Sequence, residues 1–527
     1  MRYQGLVPAA AYIEETGERF VVSRGLTVRS AAGFEGEAAL LREQIPFAFC
    51  PEGTEGLPLD CLWADPDTGT ELGRTVGKPA GQETAATGTA SLGTADESYR
   101  LTIGSAGITC AASSAAGMYH GLQSLRQIIL TGRAESGRVE LPRLEIADAP
   151  RFRWRGFMLD CSRHFYSVAF IKKIIDAASL HHLNVFHWHL TDDQGWRLPV
   201  PEYPKLTDIG AWRKDSKTTW QDAAVGGFYS EADIAAVVAW AAARHVDVVP
   251  EVDLPGHSSP ILAAYPELGC AGGPYAVEDR FGIFKDVLCA GNDGIFPLIG
   301  SVFDTLARLF PSKYVHIGGD EVKPDRWEEC PKCQARRRAL GLGETAQLQS
   351  WITVRLANML AERGKTPIGW DEVLEGTERF GLPSNMVVMS WRGREGGLKA
   401  SGAGHPVIMT ALTDGCYLNF RHLDSPEEPG HLGVSTVEQS YSMEAAAPGM
   451  SEAQRRLVLG GQCNLWSEVI YASRIAEYML FPRMGAIAEA LWTAREKRDI
   501  ESFERRLPTY RKLLDALDLA HYRGPVR

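Results

Sequence analysis

Residues 314–321 read Tyr-Val-His-Ile-Gly-Gly-Asp-Glu, a short apolar run that ends in two glycines and two carboxylic acids. Runs without a polar face are typical of parallel strands that are buried on both sides. The glycines permit a sharp turn and a close approach to a ligand, so both acidic side chains can enter one pocket instead of alternating between two faces. This stretch therefore predicts a buried strand with reactive groups at its carboxyl end.

Seven similar runs lie on either side of this one, and each is followed by polar or aromatic residues. They cover residues 156–159, 185–190, 246–250, 366–369, 386–389, 406–409 and 457–463. Helical patterns separate several of them; before one such pattern, Ser230 and Asp233 have capping-box spacing. Eight strand-and-helix units predict an α/β chain with a (β/α)8 TIM barrel, whose chemistry would lie at the carboxyl ends of the strands.

A doubly wound sheet is the competing interpretation of these runs. It is disfavoured because no glycine-rich phosphate loop follows the first run. The stretch between Trp370 and Met386 is short for a helical crossover. We therefore expect the fifth barrel helix to be abbreviated or irregular.

The first part of the chain has a different pattern. Short alternating stretches such as residues 99–103 are separated by loops rich in Gly, Thr and Ala, notably residues 81–96, and residues 113–130 have helical spacing. The pattern predicts a small α+β domain over residues 1–148. The catalytic barrel, with a C-terminal helical segment, would then occupy residues 149–527.

Composition limits the possible partners. The chain has 527 residues, 45% of them hydrophobic, and a net charge of -11 at pH 7, which speaks against a nucleic-acid-binding surface. The first residues lack the apolar core of a secretory signal, since Glu14 and Glu15 interrupt it, and no later stretch is apolar enough to cross a membrane. We expect a cytoplasmic protein that binds neutral or uncharged small molecules, without nucleic-acid or membrane partners.

The ten cysteines do not form a regular disulfide framework. Cys330 and Cys333 have half the spacing of a zinc site, but no second CxxC or HxxxH follows them, so no metal and no cofactor is expected. Cys270 and Cys289 flank a glycine-rich loop. They are close enough to pair only if that loop folds back, so their pairing is left open.

The residues that follow the eight runs are mostly carboxylates, bases and aromatics. In chain order they are Asp160, Arg163, Asp192, Asp193, Asp253, His257, Asp320, Glu321, Trp370, Asp371, Trp391, Tyr417, Asn419, Trp466 and Glu468. Any one of them could be a helix N-cap or a core residue. Together on one rim they suit a sugar, whose hydroxyls need acceptors and whose ring needs an apolar platform.

The pair Asp320 and Glu321 indicates the reaction. Two carboxyls this close cannot both ionise freely, so one pKa should rise towards that of a general acid. Most glycosidases hold two carboxyls on opposite sides of the sugar, roughly 5 Å or about 6.5–9.5 Å apart, which sequence neighbours cannot easily do. If Glu321 protonates the leaving oxygen, Asp320 is better placed to orient a 2-acetamido group that acts as the nucleophile.

Five motifs carry a resemblance to a known family: residues 160–165 (Asp-Cys-Ser-Arg-His-Phe), 189–196 (His-Leu-Thr-Asp-Asp-Gln-Gly-Trp), 250–257 (Pro-Glu-Val-Asp-Leu-Pro-Gly-His), 316–321 and 465–468 (Leu-Trp-Ser-Glu). Over nearly its whole length the chain resembles the β-N-acetylhexosaminidases of glycoside hydrolase family 20. The resemblance implies an exo-acting enzyme that removes terminal β-linked N-acetylglucosamine or N-acetylgalactosamine with retention of configuration, from short oligosaccharides or simple glycosides.

The resemblance also implies roles for individual residues. Glu321 would be the general acid and then the general base, Asp320 would hold the acetamide nitrogen, and Tyr417 would donate to the acetamide oxygen. The remaining implied roles are sugar hydroxyl binding by Arg163 and Glu468, a wall made of Trp370, Trp391 and Trp466, and support of Glu321 by Asp192 and the pair Asp253 and His257.

Two features depart from the family pattern. The family usually has Tyr-Leu-Asp where this chain has Tyr417, Leu418 and Asn419. An amide still accepts a hydrogen bond from a sugar hydroxyl but carries no charge, so the gluco or galacto preference is open. Residues 421–441 lack a tryptophan that could stack on a second sugar, which favours short substrates.

Two other functions remain open from the sequence. One is a glycosidase of non-acetylated sugars with Asp192 or Glu468 as a protein nucleophile, which would process 2-hydroxy glycosides as well as 2-acetamido ones. The other is an inactive carbohydrate-binding barrel. The intact pair Asp320 and Glu321 argues against it.

Overall fold

The computed structural model describes residues 3, 5–51, 54–64, 96–214, 224–377 and 379–527. Most of the loop predicted over residues 81–96 lies outside these ranges. The N-terminal part is a six-stranded sheet. Its strands, in spatial order, are Tyr12–Val22, Val139–Asp148, Tyr99–Gly104, Gly107–Ala112, Leu57–Trp63 and Leu26–Ser30.

The long helix of this part, Ala115–Gly132, covers one face of the sheet. Its N-cap is Ser114, whose hydroxyl accepts a hydrogen bond from the Gly117 N–H at 3.0 Å. Leu122 and Leu125, at helical spacing, are completely buried against the strands. A second helix, Glu35–Gln44, packs on the first. Burial of the apolar stripe thus joins helix and sheet into the α+β unit expected from the sequence.

The second part is a closed barrel of eight parallel strands, as predicted. Each strand coincides with one of the eight apolar runs, with ends that differ by one or two residues. In spatial order, which is also chain order, the strands are Trp154–Asp160, Val185–His189, Asp247–Glu251, Tyr314–His316, Thr366–Trp370, Val387–Ser390, Val407–Met409 and Val458–Leu465. The correspondence is close because a strand buried on both faces must be apolar throughout.

Helices connect the strands. The α-helices from the first barrel strand to the end of the chain are Val168–Leu180, Lys205–Asp208, Glu231–Ala242, Ser259–Ala264, Ile295–Leu309, Asp325–Glu329, Pro331–Ala339, Gln347–Ala361, Glu395–Gly402, Val437–Tyr441, Glu452–Leu457, Ser473–Leu480, Arg483–Trp492 and Ile500–Ala516. The predicted capping box is formed: the Asp233 N–H donates to Ser230 Oγ, and the Ser230 N–H donates to the Asp233 carboxylate.

The expected irregularity after the fifth barrel strand is also present. The described residues there form a single 3-10 turn, Asp371–Leu374, in place of an α-helix. Shorter elements complete the chain: 3-10 turns at Pro46–Ala48, Pro266–Leu268, Leu412–Asp414 and Arg495–Lys497, and two-stranded pairs at Thr191–Asp192 with Gly195–Trp196, Trp212–Lys214 with Ala224–Gly226, and Phe420–Arg421 with His431–Val434. Among the described residues, every helix is too short or too polar to span a bilayer.

The two parts are packed against each other. Trp492, at the end of its helix, is completely buried among the core residues of the N-terminal sheet, and its indole N–H donates to the Asp148 carboxylate at 2.9 Å. Burial raises the pKa of Asp148 to about 6. The C-terminal helix Ile500–Ala516 packs on Ala115–Gly132. The contacts extend to the segment before the first barrel strand, where the Arg151 N–H donates to the Trp492 oxygen at 2.9 Å.

Candidate active site

The turn that follows the fourth barrel strand requires its two glycines. Gly318 and Gly319 have φ values of 66° and 94°, which L side chains rarely adopt. A Cβ atom on Gly318 would lie 1.8 Å from Oδ1 of Asp253. Glu321 itself has a φ of 53°, a strained conformation for a non-glycine residue that is common at functional sites. The sharp turn predicted from the sequence is thus present. It sets the direction in which the side chains of Asp320 and Glu321 point.

The side chains of Asp320 and Glu321 both approach one imidazole. His257 Nε2 lies 3.9 Å from Oδ2 of Asp320 and 3.6 Å from Oε2 of Glu321. The Glu321 side chain is 30% exposed and the Asp320 side chain 12%. The adjacent carboxyls therefore share one pocket, as expected, with Glu321 nearer to the opening.

The other nitrogen of His257 faces two further carboxylates. Nδ1 lies 3.0 Å from Oδ1 of Asp192 and 3.0 Å from Oδ2 of Asp193. Burial opposes the charge of His257, but these carboxylates raise its pKa well above the ordinary histidine value. The imidazole is thus held as a cation that faces the catalytic candidates. The resemblance pairs His257 with Asp253, which the structure places within 4.8 Å of the imidazole. The partners at hydrogen-bond distance are Asp192 and Asp193, which follow the second strand.

Asp253 has a different place. Its Oδ1 accepts a hydrogen bond from the Gly319 N–H at 3.0 Å, and its carboxyl lies beside that of Asp320. Burial raises the pKa of Asp253 to about 6. Burial, and then the charge of Asp253, raises the pKa of Asp320 well above the usual aspartate value. A raised pKa was expected within the adjacent pair, but the larger charge effect on Asp320 comes from a residue 67 positions earlier in the chain.

Arg163 follows the first barrel strand and lies among carboxylates. Its guanidinium lies 2.8 Å from Oδ2 of Asp192 and 3.2 Å from Oδ2 of Asp160, and it donates to Gln194 Oε1 at 3.0 Å. Burial raises the pKa of Glu468, although the nearby Arg163 partly offsets this effect. The oxygen Oε2 of Glu468 is buried and accepts no hydrogen bond from the residues that the structure describes. Arg163 and Glu468 therefore form a polar edge of the site, where Oε2 of Glu468 can accept a hydrogen bond from a ligand.

The aromatic residues form one continuous wall. The ring centroids of Trp370 and Trp466 are 5.9 Å apart, and those of Trp466 and Tyr417 are 6.3 Å apart. The rings of Trp391 and Tyr417 are stacked, with centroids 6.1 Å apart and an angle of 14° between planes. Arg163 also lies 5.0 Å above the ring of Trp466. The four aromatic residues predicted at separate strand ends thus line one surface beside the carboxyls.

Asn419 lies two residues beyond Tyr417 and is 5% exposed. Its backbone oxygen accepts from the His431 N–H at 2.7 Å. Its side-chain oxygen Oδ1 is buried and has no hydrogen-bond partner within the described part of the chain. A buried amide oxygen without a partner is costly, and a donor on a bound ligand would satisfy it.

Glu251 lies within the motif of residues 250–257, and no feature of the sequence singles it out. Its carboxylate is completely buried: the imidazoles of His187, His189 and His316 lie within 3.0 Å of it, and the indole N–H of Trp370 donates to it at 2.9 Å. Burial opposes ionisation, but the three histidines hold the pKa of Glu251 well below its ordinary value. This group could have been found from the histidines at alternate positions of a buried strand. Residues so spaced share one face of the strand, here the face that points into the barrel.

Glu372 is a second residue near the site that the sequence pattern does not single out. The indole N–H of Trp391 donates to its Oε2 at 2.9 Å. Burial, and then the charge of Asp320, raises its pKa to about 8. It could have been found from its position next to Asp371, immediately after the fifth strand.

Some of these atoms are close enough together to surround a cation. His187, Glu251 and His316 form one such group, and Asp192, Asp193 and His257 form another. In both groups the donor atoms already face one another at hydrogen-bond distance. The atoms of each group therefore already have one another as ion-pair partners.

The barrel and its rim of carboxyls, histidine and tryptophans define a TIM-barrel protein of the glycoside hydrolase class. The chain belongs to glycosyl hydrolase family 20. The model of the family's catalytic domain matches residues 152–495, and that of its domain 2 matches residues 3–149.

Curated relatives agree with this assignment. The chain is 41% identical over 417 residues to a beta-hexosaminidase of Porphyromonas gingivalis, and the match covers 78% of this chain and 53% of that protein. It is 35% identical over 425 residues to a beta-hexosaminidase of Akkermansia muciniphila, and this match covers 79% of this chain and 84% of that protein. The chain thus spans about half the length of the first relative and most of the second.

Solved structures are similar over the whole chain. The GH20 exo β-N-acetylglucosaminidase of Vibrio harveyi in complex with N-acetylglucosamine has a TM-score of 0.83 at 30% identity, covering 99% of this chain and 78% of that one. The N-acetyl-β-hexosaminidase of Streptomyces plicatus has a TM-score of 0.80 at 28% identity, covering 99% and 97%. The barrel and the N-terminal part together are therefore a known two-part arrangement.

Proposed function

We propose that this protein is an exo-acting β-N-acetylhexosaminidase that removes terminal β-linked N-acetylglucosamine or N-acetylgalactosamine from short oligosaccharides or glycosides. The observation that carries the proposal is the adjacent pair Asp320 and Glu321, which face one imidazole in one pocket. The family relatives named above, which are called hexosaminidases, support the same activity.

In the proposed first step, Glu321 gives its proton to the glycosidic oxygen while the acetamide carbonyl oxygen of the substrate attacks C1. The C1–oxygen bond breaks, the aglycone leaves as an alcohol, and the sugar closes to an oxazolinium ion. Asp320 accepts a hydrogen bond from the acetamide N–H and stabilises the positive charge that develops there. The hydroxyl of Tyr417 donates to the acetamide oxygen and aligns it for attack.

In the second step, Glu321 takes a proton from water, and the water oxygen attacks C1 from the face that the aglycone left. The oxazolinium ring opens and the acetamide is restored. Two inversions at C1 give net retention. His257, a buried cation beside both acids, would hold Glu321 in position through both proton transfers.

The competing proposal needs a protein nucleophile, and the contacts argue against Asp192. Both of its oxygens face cationic or imidazole nitrogens, from Arg163, His189 and His257. Burial opposes ionisation, but these neighbours lower its pKa well below the ordinary value. A carboxylate held in this way is a weak nucleophile, because attack on C1 would break its ion pairs.

Matched aryl glycosides test the proposal. We expect hydrolysis of the aryl N-acetyl-β-glucosaminide and almost no hydrolysis of the aryl β-glucoside, together with inhibition by a thiazoline that mimics the oxazoline. Equal rates on the two glycosides would instead support a protein nucleophile. Failure on every aryl N-acetylhexosaminide would support a binding protein without activity.

Substitution of Asp253 by asparagine should move the acidic limb of the pH profile of kcat/KM to lower pH. Asp320 must be ionised to accept the acetamide N–H, and its pKa is raised by burial and by the charge of Asp253. Asparagine removes that charge, keeps an oxygen for the Gly319 N–H, and so lowers the pKa of Asp320.

The measurement is kcat/KM for an aryl N-acetyl-β-glucosaminide across the pH range in which both proteins stay folded. The matched control is Asp325→Asn, at an exposed position beyond the turn, which should leave the profile unchanged. An acidic limb that stays in place, or moves to higher pH, would contradict the assigned coupling of the two carboxyls.

Substitution of Asn419 by aspartate, the usual family residue, should change the ratio of kcat/KM for gluco and galacto substrates. The unpartnered Oδ1 of Asn419 is the motivating observation. A carboxylate binds a sugar hydroxyl more strongly than an amide, so the epimer whose hydroxyl reaches this position should gain most. Paired aryl N-acetyl-glucosaminide and N-acetyl-galactosaminide kinetics measure the ratio, and an unchanged ratio would exclude position 419 from selectivity.

A further inference from the structure

Four cysteine sulfurs converge outside the active site. Cys270 and Cys289 come from the segment between the third and fourth barrel strands, whereas Cys330 and Cys333 lie at the start of helix Pro331–Ala339. The sulfur of Cys333 lies 3.5 Å from that of Cys289 and 3.7 Å from that of Cys270, and the sulfurs of Cys289 and Cys330 are 3.9 Å apart. All four sulfurs are within 4.8 Å of one another.

These spacings agree with a tetrahedral metal site. A zinc ion holds thiolate sulfurs at about 2.3 Å, which places neighbouring sulfurs about 3.8 Å apart. The three distances lie close to that value. A disulfide would instead bring one pair to about 2.05 Å and leave the other sulfurs aside.

The sequence leaves open whether Cys270 pairs with Cys289; in the structure both are free thiols. No metal is expected at Cys330 and Cys333 from the sequence, because no further ligand pair follows the CxxC motif downstream. The structure supplies the missing two ligands from upstream.

The surroundings suit thiolates. Cys289, Cys330 and Cys333 are at most 6% exposed, and the Gly291 N–H donates to the Cys333 sulfur at 3.3 Å. A Cβ atom on Gly291 would lie 2.2 Å from the backbone carbon of Lys332, so the close approach requires glycine. Groups that ligate a metal are typically hydrogen-bonded by neighbours that orient them, and a backbone N–H can do this for sulfur; buried thiolates also need a cation to offset their charge.

We propose that Cys270, Cys289, Cys330 and Cys333 bind one structural zinc ion. With four protein ligands the zinc ion would have no open coordination position, so it would take no part in the reaction.

Its position indicates what it stabilises. The Leu288 N–H donates to the Pro255 oxygen at 3.1 Å, and the indole N–H of Trp327 donates to the Leu288 oxygen at 2.9 Å. Pro255 precedes His257 by two residues, and Trp327 follows Glu321 by six. The zinc ion would thus hold together the two loops that carry the histidine and the catalytic acids.

Metal content tests the proposal without any substrate, so its failure is separate from failure of the proposed activity. The full chain is produced with zinc in the medium and passed through a desalting column. Elemental mass spectrometry should then find one zinc ion per molecule. The variant Cys330→Ser with Cys333→Ser should lose that zinc. The control Cys50→Ser changes a buried cysteine of the N-terminal part and should keep it.

A second measurement covers the case in which the double variant does not fold. In the unchanged protein, titration with a mercurial thiol reagent should release the zinc as the four thiolates react, and Co²⁺ exchanged into the site should give the visible absorption of a tetrahedral thiolate complex. Zinc retained in the double variant, a protein without bound zinc, or disulfides among these four cysteines would each overturn the proposal.

Discussion

Replacement of Glu321 by glutamine is expected to lower kcat on an aryl N-acetyl-β-glucosaminide by about 10²- to 10⁴-fold, with KM little changed. Glutamine preserves the shape of the side chain but has no proton to give to the leaving oxygen. Because a poorer leaving group depends more on that proton, the loss should be larger for glycosides of high-pKa alcohols than for those of acidic phenols. Steady-state kinetics on a series of aryl and alkyl glycosides measures both effects.

The matched control for this variant is Glu328→Gln. Glu328 is exposed on helix Asp325–Glu329, in the same loop, and its loss should leave kcat unchanged. Near-normal turnover of Glu321→Gln, or a loss that is independent of the leaving group, would remove Glu321 from the role of general acid.

Replacement of Asp320 by alanine is expected to lower kcat/KM on the N-acetyl substrate by about 10²- to 10³-fold, as for the loss of one preorganised group that stabilises transition-state charge. The 2-hydroxy glycoside has no acetamide N–H for Asp320 to hold. Its residual slow hydrolysis should therefore change much less. The ratio of the two losses, measured on matched aryl glycosides, isolates the acetamide role, and equal losses would refute it.

Stability supplies the control for this substitution. The pKa of Asp320 is raised above that of an unfolded aspartate, first by burial and then by Asp253, so its ionised form costs free energy in the folded state at neutral pH. Removal of the side chain should leave the free energy of unfolding at pH 7 equal or higher. An inactive variant that is also destabilised would point to misfolding instead of a lost catalytic contact.

The buried cluster around Glu251 connects the interior of the barrel to the rim. Glu251 holds the indole of Trp370 on one side and His189 on the other, and His189 faces Asp192. Asp192 in turn faces His257. The orientation of the aromatic wall and that of the histidine beside Glu321 thus depend on one carboxylate that does not itself reach the pocket.

Much of the architecture could be predicted from local pattern. A strand that is covered on both faces must be apolar along its length, so all eight barrel strands are visible as runs in the sequence. The Gly318 and Gly319 turn is visible for a related reason, because positive φ values strongly favour glycine. Since parallel strands end on one rim, the residues that follow them could be grouped before any contact was known.

Partnerships between these residues could not be predicted in the same way. The resemblance pairs His257 with Asp253, whereas the carboxylates at hydrogen-bond distance in the folded chain are those of Asp192 and Asp193. Nothing in the sequence singles out Glu372, although burial and the charge of Asp320 raise its pKa to about 8. In each case the decisive neighbour follows a different barrel strand.

The order of the eight strands, the turn that carries two acids and the family can be read from the sequence. The folded chain is needed to show which imidazole faces those acids, which carboxylate raises the pKa of Asp320, and that four cysteines from two segments meet. The apolar pattern of a buried strand and the need for glycine in a turn are properties of consecutive residues, so they are visible in the sequence. Distances between side chains on different strands exist only after the barrel has closed.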